Sequence, residues 1–108
     1  MKKITVGIVE DVEIKGKKFK ARIDTGAYRS SIDIDLAKKL GLGPVFKKVN
    51  VRSASGKSQR EVIKAKVSIK GQEMEASFSI INREHMDYKV LIGRNILKRG
   101  FLIDATKI

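Results

Sequence analysis

One stretch of the sequence, Ala21 to Ser31 (ARIDTGAYRSS), constrains the fold more than any other. Its apolar residues Ala21 and Ile23 alternate with polar neighbours, which is typical of a half-buried β-strand. The strand ends at Asp24, and Thr25-Gly26-Ala27 then turns the chain sharply. A carboxylate at the end of an apolar strand loses hydration unless it is hydrogen-bonded or paired. Because this arrangement costs stability, we interpret Asp24 as a residue that serves chemistry.

The same alternation of apolar and polar residues recurs along the chain and predicts a mainly β fold. A first strand is expected over Ile4 to Ile8, followed by a hairpin that turns at Lys15-Gly16-Lys17 and returns through Phe19 to Ile23. The remaining expected strands are Val45–Ser53, Arg60–Ile69, a second hairpin over Val67–Ile80, Val90–Ile92 and Phe101–Ile103.

Two segments change to a helical period. Ile34 to Leu40 fits a short helix with Asp33 as its N-cap and Gly41 at its C-terminal end. A second short helix is expected over Arg94 to Arg99, ended by Gly100. Capping explains Asp33 and its neighbour Asp35, so neither is taken as a second catalytic carboxylate.

The second hairpin repeats part of the residue pattern of the first. When Val12 is aligned on Val67, the turn residues Lys15 and Gly16 fall on Lys70 and Gly71. Such an echo suggests an internal duplication. At 108 residues the chain is expected to form one domain, spanning residues 1–108.

The net charge is +12, from 24 basic and 12 acidic residues. A positive charge of this size favours acidic partners such as nucleic acid, ribosomes or acidic peptides. A solvated lysine-rich surface also explains it and is the preferred interpretation, because lysines and arginines such as Lys18, Lys20 and Arg22 merely alternate with apolar residues. Aromatic residues make up only 6% of the chain, and no stacking motif is present, so nucleic-acid binding is not favoured.

Several other sites and locations are not expected. The chain has no cysteine and no apolar run near the roughly 18 residues of a transmembrane helix. Acidic residues interrupt the apolar start too early for a signal peptide, so a cytoplasmic location is expected. The GKS at Gly56 lacks the preceding glycine of a phosphate-binding loop, since Val51 stands there. His85 stands alone, so neither a metal nor another cofactor is expected.

Two motifs together carry a resemblance to a known family. The first is Asp24-Thr25-Gly26-Ala27 with its lead-in ARI and its follow-on serines, and the second is VLIGRNIL at Val90 to Leu97. In this order the chain resembles the retropepsin-like aspartic peptidases, and most closely the bacterial and archaeal type, some of which are labelled ATP-dependent zinc proteases.

The resemblance implies a fold and a set of site residues. The fold would be a closed β-barrel lobe with one or two short helices that acts as a symmetric homodimer. Asp24 would be catalytic, and Thr25, Gly26 and Ala27 would form the active-site loop. A flap over the substrate would carry Ala54, Ser55, Gly56 and Lys57. Arg29, Gly93 and Arg94 would contact substrate or serve the structure.

The resemblance also implies individual roles. Thr25 would bond across the twofold axis, the Gly26 carbonyl would accept a substrate amide, and Ala27 would line the pocket. In the retroviral enzymes the arginine at the Arg94 position pairs with an acid two residues after the DTG glycine. Here Tyr28 occupies that position, so Arg94 lacks this partner.

Two functions follow from this reading. An aspartic peptidase needs two carboxylates that share one proton, and the chain offers one suitable aspartate. The first hypothesis is therefore an endopeptidase with an Asp24/Asp24′ dyad on a homodimer axis, acting on peptides or proteins that are acidic and Glu-rich. The alternative is a non-catalytic dimer of the same fold that binds peptide, ribosome or nucleic acid through its basic surface.

Overall fold

The structure, a computed structural model, describes residues 3–54 and 56–107, apart from the side chain of Ser53. Within these residues lie nine strands and two short helices, which confirms the prediction of a mainly β fold. In chain order the elements are β1 (Ile4–Val6), β2 (Val9–Ile14), β3 (Lys17–Ile23), β4 (Ser30–Asp33), α1 (Ile34–Lys39), β5 (Lys47–Ser53), β6 (Gly56–Ile69), β7 (Gln72–Ile81), β8 (Val90–Ile92), α2 (Arg94–Leu97) and β9 (Phe101–Ile103).

Six strands close into a barrel. Their order around the sheet is β2-β3-β8-β4-β7-β6, and β2 then pairs with β6 through Val12 and Ile69. Among the described residues, strand β5 pairs only with β6 and extends the sheet as a hairpin beside the barrel. Strands β1 and β9 form a separate parallel pair. The expected closed barrel is present.

The core lies inside this barrel, and period-two alternation builds it. In β6, Ile63, Ala65, Val67 and Ile69 are buried, whereas the intervening Lys64 and Lys66 are exposed. The largest fully buried side chain is Phe78 of β7, at 0% exposure. Burial of these apolar side chains is the main favourable contribution to folding.

The two hairpins that echo each other in sequence also share a turn conformation. Lys15 and Gly16 have φ of 55° and 75°, and Lys70 and Gly71 have φ of 54° and 80°. Two successive residues with positive φ are the signature of the tight turn that matches strand twist, and glycine adopts it without strain.

The barrel has two halves, and the long strand of each half pairs with the short strand of the other. Strand β3 runs parallel to β8, and β7 runs parallel to β4. Each of β4 and β8 is followed by one of the two helices, and these two strands lie antiparallel to each other. This arrangement is a pseudo-twofold one, and it agrees with the duplication that the sequence suggested.

Some element bounds differ from the expectations. The first strand ends at Val6, and Ile8 is 40% exposed. Strand β4 was not expected at all, because its four residues are all buried and show no alternation. The second helix ends at Leu97 rather than Arg99, and β6 begins at Gly56.

Asp33 caps α1 as predicted and also accepts a hydrogen bond from the loop after β7. Its Oδ2 accepts from the backbone N–H groups of Asp35 (3.2 Å) and Leu36 (3.3 Å), and its Oδ1 accepts from that of Arg83 (2.7 Å). Burial alone would raise the pKa of Asp33, but these three donors together lower it below 3.8.

We expect Asp33→Ala to lower the free energy of unfolding by about 2 kcal/mol at neutral pH, because a cap and a buried hydrogen bond are lost. A lowered carboxyl pKa stabilises the fold above the unfolded pKa of 3.8 and loses this effect as pH falls through the folded pKa. The difference between wild type and variant should therefore shrink only in acid. Denaturant unfolding measured at a series of pH values checks this, with exposed Asp35→Ala as the control. A difference in the free energy of unfolding that does not change with pH would contradict it.

Candidate active site

Asp24 stands where β3 ends, as predicted. Its backbone N–H donates to the Ile92 carbonyl at 2.9 Å, which continues the pairing of β3 with β8 by one residue. Its carboxylate Oδ1 accepts from the backbone N–H of Gly26 at 2.8 Å. The side chain is half-buried, so the carboxylate is fixed by its own loop and still reaches solvent.

The turn after Asp24 is tight. The backbone N–H of Ala27 donates to the Asp24 carbonyl at 3.3 Å, and both Thr25 and Gly26 are exposed. A side chain at Gly26 would place its Cβ 3.1 Å from Asp24 Oδ1. Of the three predicted loop residues, Gly26 therefore lies against the carboxylate and Ala27 closes the turn on the Asp24 backbone, with Thr25 between Asp24 and Gly26 in the chain.

The N-terminus of α2 supports this loop. Arg94 N–H donates to the Ala27 carbonyl and Asn95 N–H to the Tyr28 carbonyl, both at 2.8 Å. These are first-turn donors, which have no partner inside the helix. Gly93 permits the contact, because a Cβ there would lie 2.8 Å from both the Ala27 oxygen and the Arg29 carbonyl carbon. The two sequence motifs are thus brought together.

A buried side-chain network completes the support, and the sequence reasoning missed it. Asn95 Oδ1 accepts from the backbone N–H (2.9 Å) and hydroxyl (2.8 Å) of Ser30, and Asn95 Nδ2 donates to the Ser77 carbonyl (2.9 Å). The Ser30 hydroxyl in turn accepts from Gly93 N–H at 2.9 Å. Both residues lie inside the quoted motifs, but sequence alone does not show that they bond each other.

Arg94 has a structural partner other than the missing acid. Its Nη1 donates to the Thr25 carbonyl at 2.7 Å, and its guanidinium lies 6.0 Å from the centre of the Tyr28 ring. Arg29 and Lys98 approach the same ring at 5.7 and 5.9 Å. Tyr28 thus replaces an ion pair with cation–π contacts.

Arg83 lies close to the site and was also missed. It is only 5% exposed, and its Nε donates to the Tyr88 carbonyl at 2.8 Å, with Nη1 3.4 Å from the Ser31 hydroxyl. Burial lowers the pKa of Arg83, and the positive charge of nearby Arg22 lowers it further. The negative charges of Asp33 and Asp24 act in the opposite direction and raise it. Arg83 is therefore a buried cation beside the Asp24 loop.

The predicted flap residues lie at the tip of the β5–β6 hairpin. The hairpin pairs Lys47–Ser53 with Gly56–Val62, and its last paired residues are Ser53 and Gly56. Ala54, Gly56 and Lys57 are exposed, and Ser55 lies outside the described residues. The hairpin itself is present, and its action as a flap stays a prediction.

Among residues 3–54 and 56–107, no three His, Cys, Asp or Glu side chains lie close enough together to hold a metal ion. None of the helices in that part of the chain is long and apolar enough to cross a bilayer.

The backbone matches two solved structures, one of which is a viral protease. The solution structure of simian foamy virus (mac) protease aligns with a TM-score of 0.67 and 21% identity, covering 83% of this chain and 91% of that one. A Legionella pneumophila protein of unknown function, Lpg0085, aligns with a TM-score of 0.69 and 17% identity, covering 95% and 94%. The fold is that of a retroviral protease, as predicted.

Sequence comparisons agree with the fold. The family model described as "gag-polyprotein putative aspartyl protease" matches residues 10–99. DNA damage-inducible protein 1 of Saccharomyces cerevisiae is 34% identical over 93 residues, covering 82% of this chain and 21% of the yeast protein. A "Probable alpha-L-glutamate ligase" of Shewanella pealeana is 27% identical over 113 residues, covering 82% and 25%.

These matches define the class of the protein. The chain belongs to the retropepsin-like aspartyl protease family, as its motifs indicated. It spans about a fifth to a quarter of the length of the two curated relatives.

We expect Asn95→Ala to lower the free energy of unfolding by about 3 kcal/mol, because the buried Ser30 N–H and Ser77 carbonyl lose their partner. Chemical denaturation measures this, and exposed Asn50→Ala is the matched control. Amide hydrogen exchange should in addition become faster in the Asp24 loop. Equal stabilities of the two variants would contradict the assigned role of Asn95.

Proposed function

We propose that the protein is an aspartic endopeptidase in which Asp24 and the Asp24 of a second copy activate one water molecule. The observation that carries this proposal is the fixed, half-buried Asp24 carboxylate on a loop anchored to α2. Such preorganisation is what a catalytic acid or base requires. The family supports peptide-bond hydrolysis as the reaction class.

The proposed chemistry uses two carboxyl groups with one proton between them. Like charges about 3 Å apart do not both ionise, so one group stays protonated. The ionised carboxylate takes a proton from water, whose oxygen attacks the peptide carbonyl carbon. The protonated carboxyl gives its proton to the carbonyl oxygen. Collapse of the resulting diol, with proton transfer to the leaving nitrogen, breaks the C–N bond.

The proposal requires a homodimer, because each chain supplies one aspartate in a DTG loop. A surface suited to it lies at β1 and β9. Leu102 and Ile103 are 49% and 41% exposed, and Ile8 next to β1 is 40% exposed. In the described part of the chain this pair of strands is a separate two-stranded sheet, and open strand edges readily accept another chain.

We further propose that the substrate is an acidic peptide or protein. The net charge of +12 attracts such chains and accelerates their association. The Shewanella relatives named as glutamate ligases contain a segment similar to this chain, and their name specifies glutamate. A cytoplasmic location stays an expectation of the sequence.

We expect Asp24→Asn to lower peptide cleavage by roughly a thousandfold, because the amide neither accepts the water proton nor shares one. The assay uses a mixed peptide library from about pH 3 to pH 8, where wild type should show a bell-shaped profile. Exposed Asp35→Asn, which removes the same charge, is the control. Cleavage that survives in Asp24→Asn would contradict the mechanism. Peptide binding by both proteins without cleavage by either would favour a non-catalytic binding dimer.

We expect Leu102→Lys to weaken self-association more than tenfold, because a charge replaces an apolar contact in the proposed interface. Sedimentation equilibrium measures the dissociation constant, and cleavage should fall in parallel with the dimer fraction. Val45→Lys changes another exposed apolar residue and is the control. Unchanged association of Leu102→Lys would place the interface elsewhere.

A further inference from the structure

A cavity of about 350 Å³ lies next to the Asp24 loop. Ala27, Tyr28 and Arg29 form one wall, and Val51 with Arg60 of the β5–β6 hairpin forms another. Arg83 and the end of β7 close the remaining side. The cavity therefore adjoins both the loop that carries the carboxylate and the hairpin predicted to cover substrate.

Three of the residues lining this cavity are arginines (Arg29, Arg60 and Arg83), and none is acidic. Ion pairs do occur elsewhere in the described chain, for example between Lys20 and Asp11 at 3.0 Å. Within the same described residues, the ion pairs within 4.0 Å use Lys20, Lys70 and His85 as cations and none of the three arginines. The positive charge at the cavity is thus not neutralised by an adjacent acid.

Hydrogen bonds fix the position of the Arg83 guanidinium but use only some of its N–H groups. Its Nε bonds the Tyr88 carbonyl and its Nη1 faces Ser31, so two of the five N–H groups of the guanidinium have partners. It is 5% exposed, and burying a cation without a directly paired anion is costly, although the charges of Asp33 and Asp24 offset part of this cost. The neighbouring Arg29 has a buried Nε that makes no hydrogen bond in the described structure.

A purely structural role explains only part of this arrangement. The bond from Arg83 to Tyr88 holds the loop between β7 and β8, and a neutral donor could do the same. It does not explain why Arg29 and Arg60 line the same cavity. An anionic ligand would satisfy the free donors of all three residues.

We propose that this cavity is a subsite for a carboxylate of the substrate, with Arg29, Arg60 and Arg83 as specificity-determining residues. The inference rests on the proposed peptidase function, because the cavity matters to cleavage only if Asp24 acts. A guanidinium fork binds a carboxylate through two parallel hydrogen bonds, and the cavity is large enough for an acidic side chain. The ligand is a glutamate or aspartate side chain or the carboxylate at a peptide end.

The subsite would also reduce the repulsion between the proposed Asp24 dyad and an acidic substrate. Two Asp24 carboxyl groups with one proton carry a net negative charge, which disfavours an approaching carboxylate. A substrate carboxylate bound among the three arginines is shielded from the proposed dyad.

The test uses matched peptides that differ only in one carboxylate. A peptide found to be cleaved is made with Glu or Gln at each position flanking the cut, and with a C-terminal acid or amide. We expect wild type to prefer Glu over Gln at one position by at least tenfold in kcat/KM, the factor that a charge-assisted hydrogen bond supplies. A preference for the terminal acid instead identifies the chain end as ligand. No preference in either series overturns the subsite.

Arg60→Gln should reduce the Glu preference to less than about threefold. Lys66→Gln is the matched control, because it lowers the net charge equally at an exposed residue that does not line the cavity, and it should leave the preference unchanged. Arg60→Glu should reverse the preference towards a Lys peptide. Equal effects of Arg60→Gln and Lys66→Gln would show that only the overall charge acts, and would overturn the proposal. Arg83→Gln serves as a second variant once its thermal unfolding shows that it folds.

The subsite and the peptidase can fail separately. Binding of fluorescent Glu and Gln peptides to Asp24→Asn isolates recognition from chemistry. A Glu preference in binding without any cleavage by wild type supports the subsite and contradicts the peptidase. Cleavage without discrimination supports the peptidase and overturns the subsite.

Discussion

The buried hydrogen bonds between Asn95 and Ser30 are the contacts on which the candidate site depends. They join the segment after Asp24 to the first turn of α2, although the two residues are far apart in sequence. Gly93 lets the backbones approach, and the Ala27 and Tyr28 carbonyls satisfy helix donors that would otherwise be unpaired. The turn that presents the carboxylate is therefore held from both sides, which gives an exposed loop the rigidity of the barrel.

The two interlocked halves of the barrel differ at the position that carries the Asp24 carboxylate in the first half. Strands β3 and β7 each run parallel to the short strand of the other half, so the two halves interlock around β4 and β8. Only the first half ends its long strand in Asp24. The position aligned with it in the second half is Ser79, which is buried in β7 and lines the arginine cavity. The second half thus lacks a matching carboxylate, and the proposed chemistry needs a second molecule.

Local rules made much of the fold predictable from sequence. Alternation located the hairpins, glycines marked the turns at Gly16 and Gly71, and Asp33 was correctly assigned as a cap. Strand β4 was missed because full burial removes alternation. The roles of Asn95 and Arg83 were missed for a different reason: each side chain has a partner distant in sequence, Ser30 for Asn95 and Ser31 for Arg83, which a pattern within one segment does not contain. The motif residues were placed together by resemblance, but the contacts that hold them required the three-dimensional structure.

Subunit mixing tests most directly whether two copies of Asp24 share one active site. Wild type is equilibrated with increasing amounts of Asp24→Asn until subunits exchange, and cleavage is measured at constant total protein. A shared dyad leaves mixed dimers inactive, so cleavage should fall with the square of the wild-type fraction, to about a quarter at equal amounts. A linear fall to about half would show that each subunit acts with its own aspartate alone, and it would contradict the proposed dyad.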